Sequence, residues 1–498
     1  MSGIIVSSNP SSFLANVVKL VTGQVYARCL GILVAPIVTR LFLPEAFGTL
    51  ALFIAVTSIV EVITCLRYEF AIMLPESNEE AANLLGLSLC SVLIITAITT
   101  LMTYFAGDII LRLINSKELE KYLWLVPVAV FFGGVSLALN YWNSRTNNFG
   151  RISAAKIVSS TSTHTARLGL GFSKYTSGGV LIVTNILGTS ISTVVLASQI
   201  WREDRDLLKS SIQWRQMIAG LKRYKKFPII DIWGALISAT SWQLPALLLS
   251  LFFSPVIVGY YALSNALVRL PMSMIAGSIG QVFYQKICET KHRGEHTDLV
   301  ENLYKRLVAF GLFPLLLLSI VGQDLFIIAF GSNWSDAGIY AQILAPWMFF
   351  TFISSPLSTL FPSFERQGSA LIVHTTIFFA RFSTLYIGGI LQDIYVALAL
   401  FSISGVIVYA GLAMWNMRLA DVPINYFFSI LAKYFFTFLP VGLGFFFLKY
   451  FLRTSCMTIF FLSTLTIIIY YIIIIKKDPI LLRYFNGLHV RKKGLQHD

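Results

Sequence analysis

Four arginines lie inside long apolar stretches of this sequence, and their chemistry suits the binding of anions. Apolar stretches of this length are typical of membrane helices. A charge at mid-bilayer costs at least ~2.5–3.5 kcal/mol, so each of these side chains must face protein or water rather than lipid. A guanidinium group donates paired hydrogen bonds that match phosphate oxygens. The four arginines are Arg28, Arg167, Arg269 and Arg381. A fifth basic residue, Lys19, either joins them or reaches the membrane surface. The arginines predict a cationic cavity within the membrane, where an anionic ligand binds.

A run of hydroxyl side chains accompanies one of these arginines in the segment Ile152–Phe172. Hydroxyl and imidazole groups both donate and accept hydrogen bonds, as the binding of a polar ligand requires. The candidate side chains are Ser159, Thr161, Thr163 and His164. Because this segment is barely apolar enough to span a membrane, it is either a helix screened from lipid by its neighbours or a helix on the protein surface. We expect the first arrangement, with the polar face on a water-filled cavity.

Two carboxylates inside or beside apolar segments are candidates for binding a proton or another cation. Glu61 lies inside the second apolar segment and Asp231 at the start of the seventh. Each either takes up an ion or forms a buried ion pair with one of the arginines. Apart from a proton or a sodium ion at such a site, we expect no cofactor. The segment from His292 to His296 matches the H-x-x-E-H zinc pattern, but a glycine within it opposes the helix that the pattern needs, so we predict no metal.

The elements that carry these residues are membrane helices. Hydrophobic residues make up 56% of the 498 residues, which excludes an ordinary soluble protein. The number of long apolar runs predicts an all-α integral membrane protein with about 14 transmembrane helices. The net charge of +14 arises from lysines and arginines that concentrate in alternate short loops. This is the pattern of the positive-inside rule rather than of nucleic-acid binding, and it places both termini in the cytoplasm.

The segment Gly259–Gln285 is predicted to form a wall of the cavity. It spans about 27 residues, more than the ~20 that a bilayer requires. Arg269 lies near its middle, and Pro271 removes a backbone hydrogen bond and bends the helix there. A long, bent helix with an inward cation is typical of a polar path through a membrane. The alternative is that Arg269 simply pairs with another helix.

An internal repeat organises the predicted helices. Leu41–Leu52 aligns with Phe252–Leu263, so that a proline and a glycine four residues later recur in both copies. Six predicted spans separate the copies, which gives them the same membrane orientation and indicates a parallel repeat of two six-helix lobes. The predicted organisation is an N-terminal lobe at 1–201, a cytoplasmic linker at 202–228, a C-terminal lobe at 229–415, and two additional helices with a basic tail at 416–498. In the linker, the basic cluster Lys222–Lys226 either binds anionic lipid headgroups or only fixes the topology.

Several short motifs give the chain a family resemblance. They are R-L-F-L-P-E-A-F-G at 40–48, R-Y-E-F-A-I-M-L-P at 67–75, G-Y-Y-A-L at 259–263, Q-V-F-Y-Q at 281–285, P-W at 346–347, S-P-L at 355–357 and R-Q at 366–367. In this order and spacing, they resemble the Wzx-type polysaccharide-repeat flippases, the oligosaccharide flippase family within the multidrug/oligosaccharidyl-lipid/polysaccharide exporter superfamily. The resemblance implies a V of two six-helix lobes, with two further helices in some relatives.

The resemblance also implies a function. Members of that family are thought to move an undecaprenyl-diphosphate-linked oligosaccharide from the cytoplasmic to the periplasmic leaflet of a bacterial inner membrane, for O-antigen, capsule or exopolysaccharide assembly. We therefore expect a flippase and not an enzyme. Its ligands would be the lipid-linked glycan and membrane lipids, and its partners the polymerase and chain-length regulator of the same pathway. With such a ligand, the polar side chains of Ser159, Thr161, Thr163 and His164 would be sugar contacts.

Two other functions fit the same composition. A multidrug or small-solute exporter on the same fold is disfavoured by the inward cations, because most such drugs are themselves cations. A membrane polysaccharide polymerase needs a catalytic loop at the surface, and the predicted outside loops are short.

Overall fold

The structure, a computed structural model, describes residues 10–270, 283, 286–287, 296–364 and 366–477, and all regular secondary structure in these ranges is helical. The first helices are α1 (Pro10–Leu41), α2 (Pro44–Glu61), α3 (Tyr68–Ala71), α4 (Asn78–Ile114), α5 (Lys117–Glu120), α6 (Val126–Arg145), α7 (Phe149–Phe172), α8 (Gly178–Glu203), α9 (Arg205–Ser211), α10 (Trp214–Arg223), α11 (Ile232–Phe252) and α12 (Pro255–Val268). The later helices are α13 (His296–Phe330), α14 (Ser335–Leu357), α15 (Leu360–Ser363), α16 (Gln367–Ile390), α17 (Ile394–Leu419), α18 (Ile424–Tyr450) and α19 (Cys456–Lys477).

Eleven of the described helices are long and apolar enough to cross a membrane. The prediction of an all-α, multi-pass membrane protein is therefore confirmed. The other three predicted spans coincide with α7, α12 and α16. Helix α7 is not apolar enough because serine and threonine occupy the middle of it, and α12 is 14 residues long. The predicted number of fourteen spans consequently stays a prediction.

The chain divides into two compact units. The first comprises residues 1–263 and 381–397, and the second comprises residues 264–380 and 398–498. The first unit contains α1 to α11, the start of α12 and the end of α16. The second unit contains α13, α14, α18 and α19 together with most of α17. The lobe boundaries at 201 and 229 that the sequence repeat predicts stay a prediction.

Local signals fix the ends of several helices in the first unit. Ser77 caps α4, because its Oγ accepts a hydrogen bond from the backbone N–H of Glu80 at 3.2 Å. The acidic residues Glu79 and Glu80 in the first turn also favour this end of the helix electrostatically. Pro44 and Pro255, the prolines of the repeat, begin α2 and α12, where a proline loses no helical hydrogen bond.

The two glycines of the repeat face each other where α2 crosses α12. A methyl group on Gly48 would overlap the backbone carbonyl of Pro255, and a methyl group on Gly259 would overlap the carbonyl of Pro44. The same two methyl groups would each lie 3.1 Å from the backbone nitrogen of the opposite glycine. The contact is thus reciprocal, and the helices approach each other backbone to backbone as small residues allow.

A network of hydrogen bonds holds together the ends of α6, α7 and α8. Arg151 of α7 donates to Asp204 Oδ2 at 3.0 Å and to Asn143 Oδ1 at 3.3 Å, and it also pairs with Glu203. Trp142 Nε1 donates to the same Asp204 oxygen at 3.0 Å. Because Arg151 is buried among these partners, the network fixes the register of three helices that form the site described below.

The segment predicted as a linker folds into two short helices, α9 and α10. Met217 and Gly220 of α10 are buried, whereas Trp214, Ile218 and Leu221 are exposed on another side of the helix. The last turn of α10 carries Lys222 and Arg223, the start of the predicted basic cluster. An amphipathic helix of this composition is typical of the membrane surface.

In the second unit, the two C-terminal helices pack against α13. The Phe313 ring stacks on the Tyr470 ring of α19 with centroids 3.9 Å apart, and the Tyr470 hydroxyl donates to the Ala309 carbonyl at 2.6 Å. Lys449 of α18 pairs with Asp324 of α13 at 2.7 Å, and both side chains are almost fully buried. The helices predicted as an addition to the repeat are therefore firmly attached to this unit.

Candidate functional site

A polar cavity of about 660 Å³ lies among four helices of the first unit, α1, α6, α7 and α8. Its volume is in the ~300–1,000 Å³ range of sites that hold small organic ligands. The lining residues are Gln24, Ala27, Arg28, Ser136, Asn140, Ile152, Ser153, Lys156, Ser159, Ser160, Thr163, His164, Arg167, Asn185, Thr189 and Ser192. Most are hydrophilic, which is exceptional among helices that cross a membrane.

Small residues bring the neighbouring helices close to α7. A methyl group on Gly23 of α1 would lie 2.5 Å from Ser153 Oγ, and one on Gly31 would lie 3.7 Å from His164 Nε2. On the other side, a methyl group on Gly188 of α8 would overlap Thr163. Helices α1 and α8 therefore pack closely on two sides of α7, at Ser153 and at Thr163.

The charge of the cavity wall is positive. Arg28, Lys156 and Arg167 line it, and none of the lining residues in the described part of the chain is acidic. Arg167 Nε donates to Thr184 Oγ1 at 3.2 Å, which holds the guanidinium group in place. Cations fixed in a poorly hydrated site attract anions strongly, and guanidinium groups bind phosphate or carboxylate oxygens through two parallel hydrogen bonds.

The four polar side chains predicted as ligand contacts lie on two faces of α7. Ser159, Thr163 and His164 line the cavity, and the Thr163 hydroxyl donates to the Ser159 carbonyl at 2.8 Å. The Thr163 oxygen therefore remains available as an acceptor. His164 Nδ1 is buried and has no hydrogen-bond partner among the described residues. Thr161 lies on the outer side of the helix, where it shares a 3.1 Å hydrogen bond with Tyr26 of α1.

Several lining residues were not predicted from the sequence, because each is an isolated polar residue in an apolar helix. Asn185, Thr189 and Ser192 form a polar stripe along α8, at the spacing of successive helical turns. Ser136 and Asn140 form a similar pair on α6, linked by a bond from Asn140 Nδ2 to the Ser136 carbonyl at 2.7 Å. The helical spacing of these isolated polar residues was the signal that could have identified them.

Arg381 occupies a different environment from the one predicted. It is 4% exposed, and its Nη1 donates to the Ser241 carbonyl of α11 at 2.9 Å. Its guanidinium carbon also lies 4.3 Å from the centre of the Trp242 ring. Arg381 thus fastens α16 to α11 and does not line the cavity. Arg269 belongs to the second unit, while the side chain of Lys19 and the whole of Pro271 lie outside the described residues.

We expect the replacement of Arg381 by alanine to destabilise the fold. The change removes a charged hydrogen bond and a cation–π contact, together about 2–5 kcal/mol. Thermal unfolding of the purified protein in detergent should occur at a clearly lower temperature than for the wild type. The same change at the exposed Arg112 is the control and should leave the transition in place. Unchanged unfolding of the Arg381 variant would contradict this structural role.

The two acidic candidates also lie away from the cavity wall. Glu61 ends α2 and packs against Gly133 of α6, where a methyl group on the glycine would lie 2.5 Å from the Glu61 carboxylate. Asp231 pairs at 2.7 Å with Arg67, an arginine outside the four that were predicted to face inward. No group of three metal-binding side chains occurs in the described ranges, and the zinc-like segment after His292 lies largely outside them.

Solved structures with the same fold are membrane transporters. The lipid II flippase MurJ in an inward closed conformation matches with a TM-score of 0.70 and 14% identity, covering 91% of this chain and 98% of that one. An inward-facing multidrug resistance MATE family transporter of the MOP superfamily matches with a TM-score of 0.61 and 16% identity, covering 80% and 95%. An outward-facing MATE family transporter matches with a TM-score of 0.53 and 14% identity, covering 82% and 96%. The chain thus shares the fold of these transporters.

The sequence itself defines the family. Residues 37–338, more than half of the chain, match the family described as polysaccharide biosynthesis protein. The protein belongs to this polysaccharide biosynthesis family, and the resemblance inferred from the motifs is confirmed. A comparison with curated protein sequences gave no significant match.

Proposed function

We propose that this protein is a flippase that moves an undecaprenyl-diphosphate-linked oligosaccharide repeat unit from the cytoplasmic to the periplasmic leaflet of a bacterial inner membrane. The glycan would then enter O-antigen, capsule or exopolysaccharide assembly, together with the polymerase and chain-length regulator of the pathway. Both termini would lie in the cytoplasm, as the distribution of lysines and arginines indicates.

The observation that carries this proposal is the chemistry of the cavity. Three basic side chains supply positive charge, and serine, threonine, asparagine and glutamine side chains supply hydrogen-bonding groups between four helices. A diphosphate followed by sugars presents the complementary chemistry, negative charge beside many hydroxyl groups. Arg28 and Arg167 would hold the diphosphate or an acidic sugar, and Ser159, Thr163 and His164 would bind sugar hydroxyls.

The physical problem that such a cavity solves is desolvation. A diphosphate and several sugars cannot cross ~30 Å of hydrocarbon unaided, because their hydrogen bonds to water would be lost without replacement. Fixed polar groups in the cavity replace those bonds while the prenyl tail remains in lipid. Alternating access then exposes the head group first to one leaflet and then to the other, as in other transporters built from repeated helix bundles.

The comparisons support the proposal at a coarser level. The family name connects the chain with polysaccharide biosynthesis, and MurJ, whose fold it shares, is named a lipid II flippase. A multidrug or small-solute exporter is the alternative, because the MATE family transporters share the fold too. The basic cavity wall disfavours cationic drugs as substrates. A polymerase is less well supported, since the structural neighbours are transporters.

Deletion of the gene in its own bacterium tests this function. We expect lipid-linked repeat units to accumulate on the cytoplasmic leaflet, out of reach of an impermeant probe added from the periplasmic side, and expression of the wild type to restore access. Deletion of the pathway's polymerase is the matched control, because it leaves the repeat units on the periplasmic leaflet. Accumulation on the periplasmic side in both strains would indicate a polymerase, and a changed drug sensitivity with unchanged glycans would indicate an exporter.

A further inference from the structure

A buried carboxylate lies beside the turn that follows α2, away from the cavity wall. Glu69 of α3 is 1% exposed, and neither of its oxygens has a hydrogen-bond partner within the part of the chain that the structure describes. The cation beside it is Arg67, whose Nη1 lies 3.5 Å from Glu69 Oε1, too far for a strong hydrogen bond. The fold therefore accommodates the protonated form of Glu69 more readily than its charged form.

Arg67 has a second carboxylate partner at a shorter distance. Its Nε donates to Asp231 Oδ2 at 2.7 Å, and Asp231 is the last residue of the π-helical turn that leads into α11. The backbone of Arg67 is left-handed, with φ at 64°, and Leu66 before it has φ at 49°. Such strain persists only where neighbouring contacts maintain it, here the Arg67 guanidinium 4.4 Å above the Phe70 ring, and it concentrates at functional sites.

Groups from several elements surround the Glu69 carboxyl. Cys65 and Arg67 come from the preceding turn, Tyr141 comes from α6, and Asp231 comes from the turn before α11. Burial raises the pKa of Glu69 from 4.5 to about 7; the charge of Asp231 acts in the same direction, and that of Arg67 opposes it. Because the folded pKa exceeds the ordinary one, the folded protein gains stability from this proton in acid and loses it as the pH rises through about 7.

We propose that Glu69 is the proton-binding site through which a proton gradient drives this transporter, an inference that rests on the function proposed above. With Glu69 protonated, Arg67 bonds to Asp231 and fastens the turn after α2 to the start of α11. When the proton leaves for water, the new carboxylate attracts the guanidinium group and weakens its bond to Asp231. One proton bound and released at Glu69 thus makes and breaks one connection between two helices.

The position of this connection suits a coupling role. Arg67 and Asp231 both lie in the first compact unit, where their ion pair joins the turn after α2 to the start of α11. Alternating access requires connections between helices to form and break in turn. Asp231, which the sequence suggested as an ion-binding residue, acts in this scheme as the partner that Arg67 exchanges for Glu69. The titrating group is buried, so its charge acts on Arg67 with little screening by solvent.

Infrared spectroscopy of the full-length protein in lipid nanodiscs tests the titration directly. We expect the wild type to show the carbonyl band of a buried carboxylic acid that disappears with a midpoint near pH 7, in line with the raised pKa of about 7. The band should be absent from the difference between acid and alkaline spectra of the Glu69→Gln variant. The same titration in the wild type and in the Glu69→Gln variant would overturn the assignment.

Two further variants keep the test informative even if Glu69→Gln folds poorly. Asp231→Asn removes a negative charge near Glu69 and should lower the midpoint, whereas Arg67→Gln removes a positive charge and should raise it. Shifts in these opposite directions support the proposal, and a midpoint that neither change moves contradicts it. A response to sodium at constant pH that Glu69→Gln abolishes would also contradict it, because the bound ion would then be sodium.

Transport measurements separate this inference from the proposed function. In vesicles, the wild type should flip the lipid-linked glycan faster with a pH gradient than without one. In the Glu69→Gln variant, this acceleration should be at least ten-fold smaller. A titration at Glu69 without any flipping would reject the proposed substrate and leave the proton site intact. If the gradient accelerates flipping by the Glu69→Gln variant as much as flipping by the wild type, the proton site is rejected and the proposed function stands.

Discussion

Replacing Arg167 with glutamine is expected to slow glycan flipping about 10- to 100-fold, because a charged hydrogen bond contributes ~1.5–3 kcal/mol and 1.4 kcal/mol corresponds to a factor of ten. Within the described residues, the bond from Nε to Thr184 is the one hydrogen bond of this guanidinium group. Its terminal nitrogens therefore remain available for phosphate oxygens in the cavity. Flipping would be measured in vesicles at equal amounts of folded protein.

Two matched changes show whether charge or geometry matters. Arg167→Lys keeps the positive charge and loses the paired donors. Its flipping rate should therefore lie between those of the Arg167→Gln variant and the wild type. Arg112→Gln makes the same change at an exposed arginine beside the end of α4 and should leave flipping unchanged. Full activity of the Arg167→Gln variant would show that the cationic cavity is not the substrate site.

Replacing Gly48 with alanine is expected to destabilise the protein by about 1–3 kcal/mol or more, because overpacking forces neighbouring groups apart. The obstacle is the carbonyl of Pro255, which belongs to the backbone and cannot rotate away as a side chain would. Gly259→Ala should have a similar effect because it meets the carbonyl of Pro44 in the same way. Thermal unfolding of the purified variants would measure the loss.

Gly234 provides the control for this prediction. It lies in α11, and a methyl group there would meet no atom within 4 Å. Alanine at this position should be neutral or stabilise the helix by ~0.5–1 kcal/mol, since glycine is the more flexible residue. If Gly48→Ala unfolded at the same temperature as Gly234→Ala, the close crossing of α2 and α12 would be disproved.

The sequence was sufficient for the membrane class, and two of the four predicted arginines line one cavity, although their role in binding stays a prediction. Arg28 and Arg167 were predicted from the cost of charge in lipid, and both line one cavity. Helical periodicity could have excluded Thr161, because it is two residues from both Ser159 and Thr163 and so points to another side of the helix. Lys156, which does line the cavity, lies seven residues before Thr163 on the same face.

The remaining arginines show what a sequence alone leaves undetermined. The buried Arg381 side chain is stabilised by the Ser241 carbonyl and the Trp242 ring of α11, which lie 140 and 139 residues earlier in the sequence. Nothing near Arg381 in the sequence distinguishes this partner from an anionic ligand. Arg67 presents the converse case, because its motif was informative for the family, but its contacts with two carboxylates depend on the fold.

The buried pair of Lys449 and Asp324 determines how the protein will respond to ionic strength. Dissolved ions screen exposed charges, such as those of Arg223 and Glu80, whose side chains are 64% and 38% exposed. They reach Lys449 and Asp324 far less, since these side chains are only 11% and 9% exposed. Concentrated salt during purification will thus weaken the Arg223–Glu80 pair between α10 and α4, while the Lys449–Asp324 pair between α18 and α13 persists.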